Sequence, residues 1–442
     1  MIRTVEYKAL TAEDIRPRSV SRSDVSDAVA AILEDVRNRG DDALVEYSRK
    51  FDGAELSAFE VPRAEWDAAV NAVEPEALRI FERARDNIAA FHRNQIRRGF
   101  VSHGTPGAVM GQRITPIERV AMYVPGGSAA YPSCALMAAV PAKLAGVSEL
   151  IMTTPPGEDG GIKNKYILAA AKLGGVDRVF KLGGAQAIAA LAYGTKTVPR
   201  VDKIVGAGNA FVAEAKRQVF GQVGIDMMAG PSDVLIIADA DSDPALTAAD
   251  MLAQAEHDAL ARAVLITPSR ALAAAVALEL ERQLEALPRR DTARASIEDN
   301  GIIIILDTIA QAVELSNKIA PEHLELLADN AFDYLEDIKN AGSVFLGRHT
   351  PEALGDYLAG PSNTLPTLGM ARFASPLSVD DFTKRSSFTY FGERALTDVG
   401  RDIITFAEIE GLSAHARSVQ KRLDKYDAAR GNGQSGEKGE TR

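Results

Sequence analysis

The chain has 442 residues, of which 46% are apolar and 25% charged, with a net charge of −11. At roughly 150 residues per domain, two to four soluble globular domains are expected. An acidic balance of this size argues against a nucleic-acid binder, whose face must be dominated by Lys and Arg. A single cysteine, Cys134, excludes an intramolecular disulfide and a Cys-rich zinc site, and fits a reducing cytoplasm. The start, Met1-Ile-Arg-Thr-Val-Glu-Tyr-Lys, has no apolar run of the kind a signal peptide needs. Residues 135–147 are apolar but interrupted by Pro141 and Lys143, too short to span a bilayer.

Residues 23–50 read as helix: Ser23-Asp24 can cap it, Val25, Val29, Ile32, Leu33 and Val36 keep a 3.6-residue period, and Gly40 breaks it. A charged helix follows over 74–96. From 117 the texture becomes strand, Gly turn, helix. Strands are expected at 119–124, 149–154, 178–182 and 203–205, with helices at 134–146, 164–173 and 185–193 between them. The pattern restarts after Gly230-Pro-Ser, with strands at 234–238, 263–268 and 301–306 and helices at 245–262 and 270–286. This alternation predicts an α/β fold with parallel, helix-covered sheets. The two halves echo each other weakly, Met137…Glu149-Leu-Ile-Met-Thr-Thr-Pro against Met251…Ala263-Val-Leu-Ile-Thr-Pro. A helix is expected over 413–426, then a polar, Gly-rich disordered tail from Ala428.

Four short segments hold three of the six histidines: Gln-Ala-Glu-His at 254–257, Pro-Glu-His-Leu at 321–324, Gly-Asp-Tyr at 355–357 and Glu-Gly-Leu-Ser-Ala-His at 410–415. A divalent metal needs N and O donors converging from separate elements, and an acid/base step needs a His or Glu free to titrate. On the expected 245–262 helix, Gln254 and His257 share a face. Glu322 and His323 are two titrating groups whose environments could separate acid from base. Each segment also has an ordinary reading. The first fits a surface helix. The second fits a helix start, with Pro321 at the first turn and Glu322 complementing the dipole. Asp356 fits a Gly-flanked turn, and His415 a surface position. Val124-Pro-Gly-Gly-Ser and Gly206-Ala-Gly-Asn209 could bring bared backbone NH groups to phosphate, although neither is Gly-x-Gly-x-x-Gly.

Taken jointly, the motifs 124–133, 183–195, 201–206, 229–232, 254–258, 320–324, 355–357 and 410–412 come in one order. In this order the chain resembles the histidinol dehydrogenase family over residues 20–426. The resemblance implies a zinc-dependent, NAD-linked oxidation of L-histidinol through L-histidinal to L-histidine, at the end of histidine biosynthesis. It implies one zinc per subunit on Gln254, His257, Asp356 and His415, and a catalytic pair Glu322 and His323. NAD falls against Tyr123, Gln186 and Asn209. The substrate-contacting set becomes Ser232, Gln254, His257, His323, Asp356, Asn363, Glu410 and His415.

The implied architecture is an intertwined homodimer of two incomplete Rossmann-like domains, in which Glu410 and His415 complete the partner's site. Its expected boundaries are an N-terminal segment 1–22, a domain of 23–118 with 233–378 carrying the metal and catalytic residues, an NAD domain 119–232, a dimerisation domain 379–427 and the tail 428–442. No nucleic acid or membrane partner is implied. One departure stands out: the family's Gly-x-x-His-x-Leu-Pro-Thr is here Gly360-Pro-Ser-Asn-Thr-Leu-Pro-Thr. Asn363 keeps hydrogen bonding but cannot be cationic. That leaves two other readings: a paralogous zinc/NAD alcohol dehydrogenase for another polar alcohol, and a non-catalytic relative stapled by zinc.

Overall fold

The computed structural model describes residues 1–15, 23–126, 131–228 and 230–434. Gly127–Ala130 of the first Gly-rich motif, Ala229, the rest of the N-terminal segment and the tail past 434 lie outside the described residues. The chain forms two compact units, Met1–Ile96 with Pro116–Thr383, and Arg97–Thr115 with Lys384–Arg442.

The first unit holds two parallel sheets. One has the order β6-β5-β4-β7-β8, from β4 (Arg119–Tyr123), β5 (Glu149–Thr154), β6 (Arg178–Lys181), β7 (Lys203–Val205) and β8 (Gly224–Ile225). The other has the order β1-β11-β10-β9-β12-β13, from β1 (Arg3–Glu6), β9 (Asp233–Ala238), β10 (Arg262–Thr267), β11 (Ile302–Ile305), β12 (His323–Leu327) and β13 (Ser343–Leu346). Without β1, the second order repeats the first strand for strand, and each is the dinucleotide-binding order 3-2-1-4-5-6 short of its sixth strand. The sequence echo falls at equivalent places: the helices Pro132–Ala145 and Pro244–Ala255, each followed by the second strand of its sheet.

Helices on both faces explain the strand composition. Val120 and Met122 of β4 enter one apolar cluster, Ala121 and Tyr123 the opposite one, as the two-residue pleat requires. The four isoleucines of β11 are all buried.

Three expectations of local structure are corrected. Pro321-Glu-His-Leu does not open a helix. The helix Ile309–Ile319 ends at Ala320 in the left-handed region (φ 56°), and β12 starts at His323 between β9 and β13. Five consecutive buried residues flanked by two partners outweigh the Pro-Glu start signal. The helix carrying Gln254 is Pro244–Ala255. It ends before His257, where the Asp258 side chain accepts the Leu260 N–H at 2.8 Å and forms a turn. Asp356 sits in the short helix Glu352–Tyr357, not in a loop.

The grouping of segments also differs from the expected boundaries. The helices Ser23–Arg39, Arg63–Ala72 and Pro75–His92 pack on the β4–β8 sheet, because their apolar stripes join its two clusters. β1 extends the other sheet. Residues 97–115 fold with the C-terminal segment: β2 (Phe100–Ser102), β3 (Ala108–Pro116) and β14 (Thr383–Phe391) make a three-stranded sheet. Two long helices, Glu393–Ile409 and Ser413–Gln434, pack on each other in this second unit. The last helix therefore continues past Ala428, aided by Arg430 pairing with Glu393 at 3.3 Å.

Candidate active site

A cleft of about 790 Å³ opens between the two parallel sheets. From the β4–β8 sheet it is reached at the carboxyl ends of β4 and β7, where the strand order reverses, the usual place for a ligand. From the other sheet it is reached at the amino ends of β9 and β12. Gly230, Pro231 and Ser232, which join β8 to β9, line it directly.

The register of β9 on β12 sets His323 opposite Val234 and so brings Asp233 beside Glu322. The Asp233 N–H donates to Glu322 Oε2 at 3.1 Å, and the Glu322 N–H donates to Asp233 Oδ1 at 3.3 Å. His323 Nδ1 lies 3.0 Å from the Asp233 carbonyl. A carbonyl only accepts, so Nδ1 carries the proton and Nε2 is left as the basic nitrogen. Burial holds the His323 ring down at about 4, so it is neutral near pH 7. Burial, then the Asp233 charge, pushes Glu322 well above the ordinary carboxylate range. When ionised, such a group is a stronger base than an exposed glutamate.

His323 Nε2 is 3.5 Å from Glu352 Oε1. Among the described residues, His323, Glu352 and Asp356 form a group able to hold a cation, with donor atoms all within 4.8 Å of one another. Burial, then Asp356 and Asp250, pushes Glu352 up to about 8. Asp356 is also raised by burial, while His257 acts on it in the opposite sense, which places His257 and Asp356 within electrostatic reach. Gln254, three residues before His257, is wholly buried, and neither side-chain amide atom has a hydrogen-bond partner in the protein. Leaving such an amide unpaired costs about 1–3 kcal/mol. A cation bound to its oxygen would satisfy that half of the group.

Tyr123 and Asn209 line the cleft; Gln186, on the helix Gly184–Tyr193, is buried and does not line it. The Tyr123 hydroxyl accepts the Gly184 N–H at 3.2 Å, and burial pushes it up to about 12. Asn209 caps the helix Ala210–Val219, accepting from the Phe211 and Val212 N–H groups. The cap holds Asn209 at the edge of the cleft. Ser232, His257, Asp356 and Asn363 also line the cleft. Glu410 and His415 are exposed residues of the second unit, on either side of the turn at Gly411 (φ 74°).

A family model described as histidinol dehydrogenase matches residues 16–423. The chain belongs to the histidinol dehydrogenase family. The histidinol dehydrogenase of Geobacter sulfurreducens is 52% identical over 425 residues, covering 96% of this chain and 99% of the relative. That of Clostridium acetobutylicum is 50% identical over 401 residues, covering 91% and 93%. The crystal structure of histidinol dehydrogenase from Elizabethkingia anophelis superposes with a TM-score of 0.90 at 37% identity, covering 96% of this chain and 99% of that one. Membership in the histidinol dehydrogenase family makes this chain an oxidoreductase.

Two site residues escaped sequence reasoning. No motif marks Glu352; its N–H donates to Oε1 of Glu325 in β12 at 2.6 Å, which sets its carboxylate beside His323. Asp233 lies just before the expected strand 234–238, and its carbonyl is invisible as a partner until β9 and β12 pair.

Proposed function

We propose that this chain oxidises L-histidinol through L-histidinal to L-histidine, transferring two hydrides to two NAD. The observation that carries this reading is the neutral, buried His323, with Nδ1 tied to the Asp233 carbonyl and Nε2 facing the acidic group. His323 takes the hydroxyl proton as the first hydride leaves the alcohol carbon. Glu322, adjacent and raised in basicity, takes a proton from the water that adds to the aldehyde before the second hydride leaves. The enclosing cleft retains the aldehyde between steps.

Zinc fits Gln254, His257 and Asp356 in this chain, as the unpaired Gln254 amide and the paired effects of His257 and Asp356 suggest. Bound there, it would anchor and polarise the substrate. NAD is assigned to Tyr123, Gln186 and Asn209, supported by a cleft at the strand-order reversal and by the helix N-terminus at Asn209. A second copy of the chain is assigned the role of supplying His415 and Glu410. The helix Glu393–Ile409 supports this with an apolar face at Ile403, Phe406 and Ile409, of which Ile409 is 80% exposed. No helix among the described residues is long and apolar enough to cross a membrane, and a cytoplasmic setting is part of the same reading.

The test is NADH formation by the dialysed, zinc-reconstituted protein with L-histidinol, followed to its endpoint. Two NADH per histidinol are expected. One NADH with free aldehyde would remove Glu322 from its role. No NADH with zinc bound would favour a paralogue acting on another polar alcohol, a reading for which Asn363 is the specific observation: its Oδ1 is buried without a partner at the cleft.

A further inference from the structure

A buried ion pair lies just behind the loop Gly206–Asn209. Lys216 and Asp226 have side chains 2% and 1% exposed and are directly bonded. Lys216 Nζ also donates to the Gly206 carbonyl at 2.7 Å. Asp226 Oδ2 accepts the Gly206 N–H at 2.7 Å, and Oδ1 accepts the Met227 N–H at 2.7 Å. Both backbone polar groups of one glycine are thus held by one pair of opposite charges.

Taking two charges out of water is expensive, and a buried pair is weak grounds for stability. Its geometric effect is specific. Gly206 has φ +101°, and a Cβ there would stand 2.3 Å from the Tyr123 carbonyl oxygen. The loop is therefore pressed against the end of β4, with no slack. Asp226 itself lines the cleft, at the start of the connection that runs on to Ser232 and β9. On the far side of that connection, the Gly230 N–H donates to Thr367 Oγ1 at 2.8 Å.

We infer that Lys216 and Asp226 are positioning residues for the dinucleotide, acting through Gly206 to hold Tyr123 and the Gly206–Asn209 loop in their binding arrangement. This rests on the assignment of that end of the cleft to NAD. Neither residue exchanges protons with substrate.

The test compares Lys216→Met, Asp226→Asn and the double variant in the zinc-loaded full-length protein. NAD affinity is measured by calorimetry, alongside histidinol affinity without NAD, zinc content and melting temperature. The double variant is included because Lys216→Met alone strands a buried carboxylate. Asp226→Asn keeps an acceptor for the Gly206 N–H and should weaken NAD about threefold. The double variant should weaken it tenfold or more, with KM for NAD rising more than kcat falls, and histidinol affinity and zinc content unchanged. A folded double variant with the parent's NAD affinity overturns the inference. So does equal loss of NAD, histidinol and zinc binding, or failure of all three variants to fold, since the pair then only holds the fold together. Asn209→Asp separates the underlying assignment: it keeps the helix cap and sets a negative charge where a pyrophosphate would lie. If Asn209→Asp leaves NAD binding intact, the assignment of this loop to NAD fails, whatever the pair does.

Discussion

His323 Nδ1 and the Asp233 carbonyl, 90 residues apart in sequence, meet at 3.0 Å across the first rungs of β9 and β12. This contact leaves one ring nitrogen protonated and the other free. Because the partner is a backbone oxygen, substitution of the Asp233 side chain cannot remove it.

The catalytic pair should separate the two oxidation steps. Glu322→Gln should slow oxidation of supplied L-histidinal by roughly 10²- to 10⁴-fold, the usual worth of a positioned acid or base. It should spare the first NADH in a single turnover to a greater degree. His323→Ala should slow both hydride transfers. Rapid-mixing measurement of NADH distinguishes them; equal effects of both variants on both steps would refute the division of labour.

Chelation should remove activity, and added zinc should restore it. Binding to the native state alone stabilises it by about 2.7 kcal/mol at a hundredfold excess over Kd, so melting temperature should fall on chelation and recover with zinc. Asp356→Ala should lose zinc, measured by metal analysis. Retention of stoichiometric zinc in this variant would place the metal elsewhere.

Asn363→His should tighten binding of the carboxylate product, since a protonated imidazole adds a charge-assisted hydrogen bond that an amide cannot. Inhibition by L-histidine should strengthen by about tenfold below pH 6.5, and less at pH 8.5. An unchanged inhibition constant at both pH values would show that position 363 does not face the carboxylate.

His92 offers a pH test remote from the chemistry. It is fully buried, its Nδ1 faces Gln95 Oε1 at 2.7 Å, and Nε2 has no partner. Burial lowers its pKa below the usual 6.5. As pH falls through 6.5 the unfolded chain binds a proton that the native chain refuses, so stability declines until the native pKa is reached. Urea midpoints at pH 7.5 and 5.5 should differ more for the parent than for His92→Asn. An equal difference would mean that this ring protonates freely in the native state.

The alternation of strand and helix, the Gly turns and the ordered motifs were legible in the residues, because local periodicity and turn chemistry report which faces must be buried. Gln254, His257, Glu322, His323 and Asp356 stand out as metal-capable or titratable residues in compact motifs, whereas Asn363 is marked only by the family resemblance. Their surroundings were not legible. Whether 321–327 is helix or strand depends on the strands on either side of it, and Pro-Glu at its start points the other way. Glu352 enters the group only because a helix 29 residues past His323 folds back onto it.

The sequence by itself determined an α/β chain with a weak internal echo, the Glu322-His323 pair and a set of metal-capable side chains. Only the tertiary structure decided that the cleft uses the carboxyl ends of one sheet and the amino ends of the other. It also decided that 97–115 folds with the C-terminal segment, and that a buried Lys216–Asp226 pair holds Gly206. Those outcomes depend on strand register and on desolvated contacts between distant residues, and neither leaves a local periodicity to read.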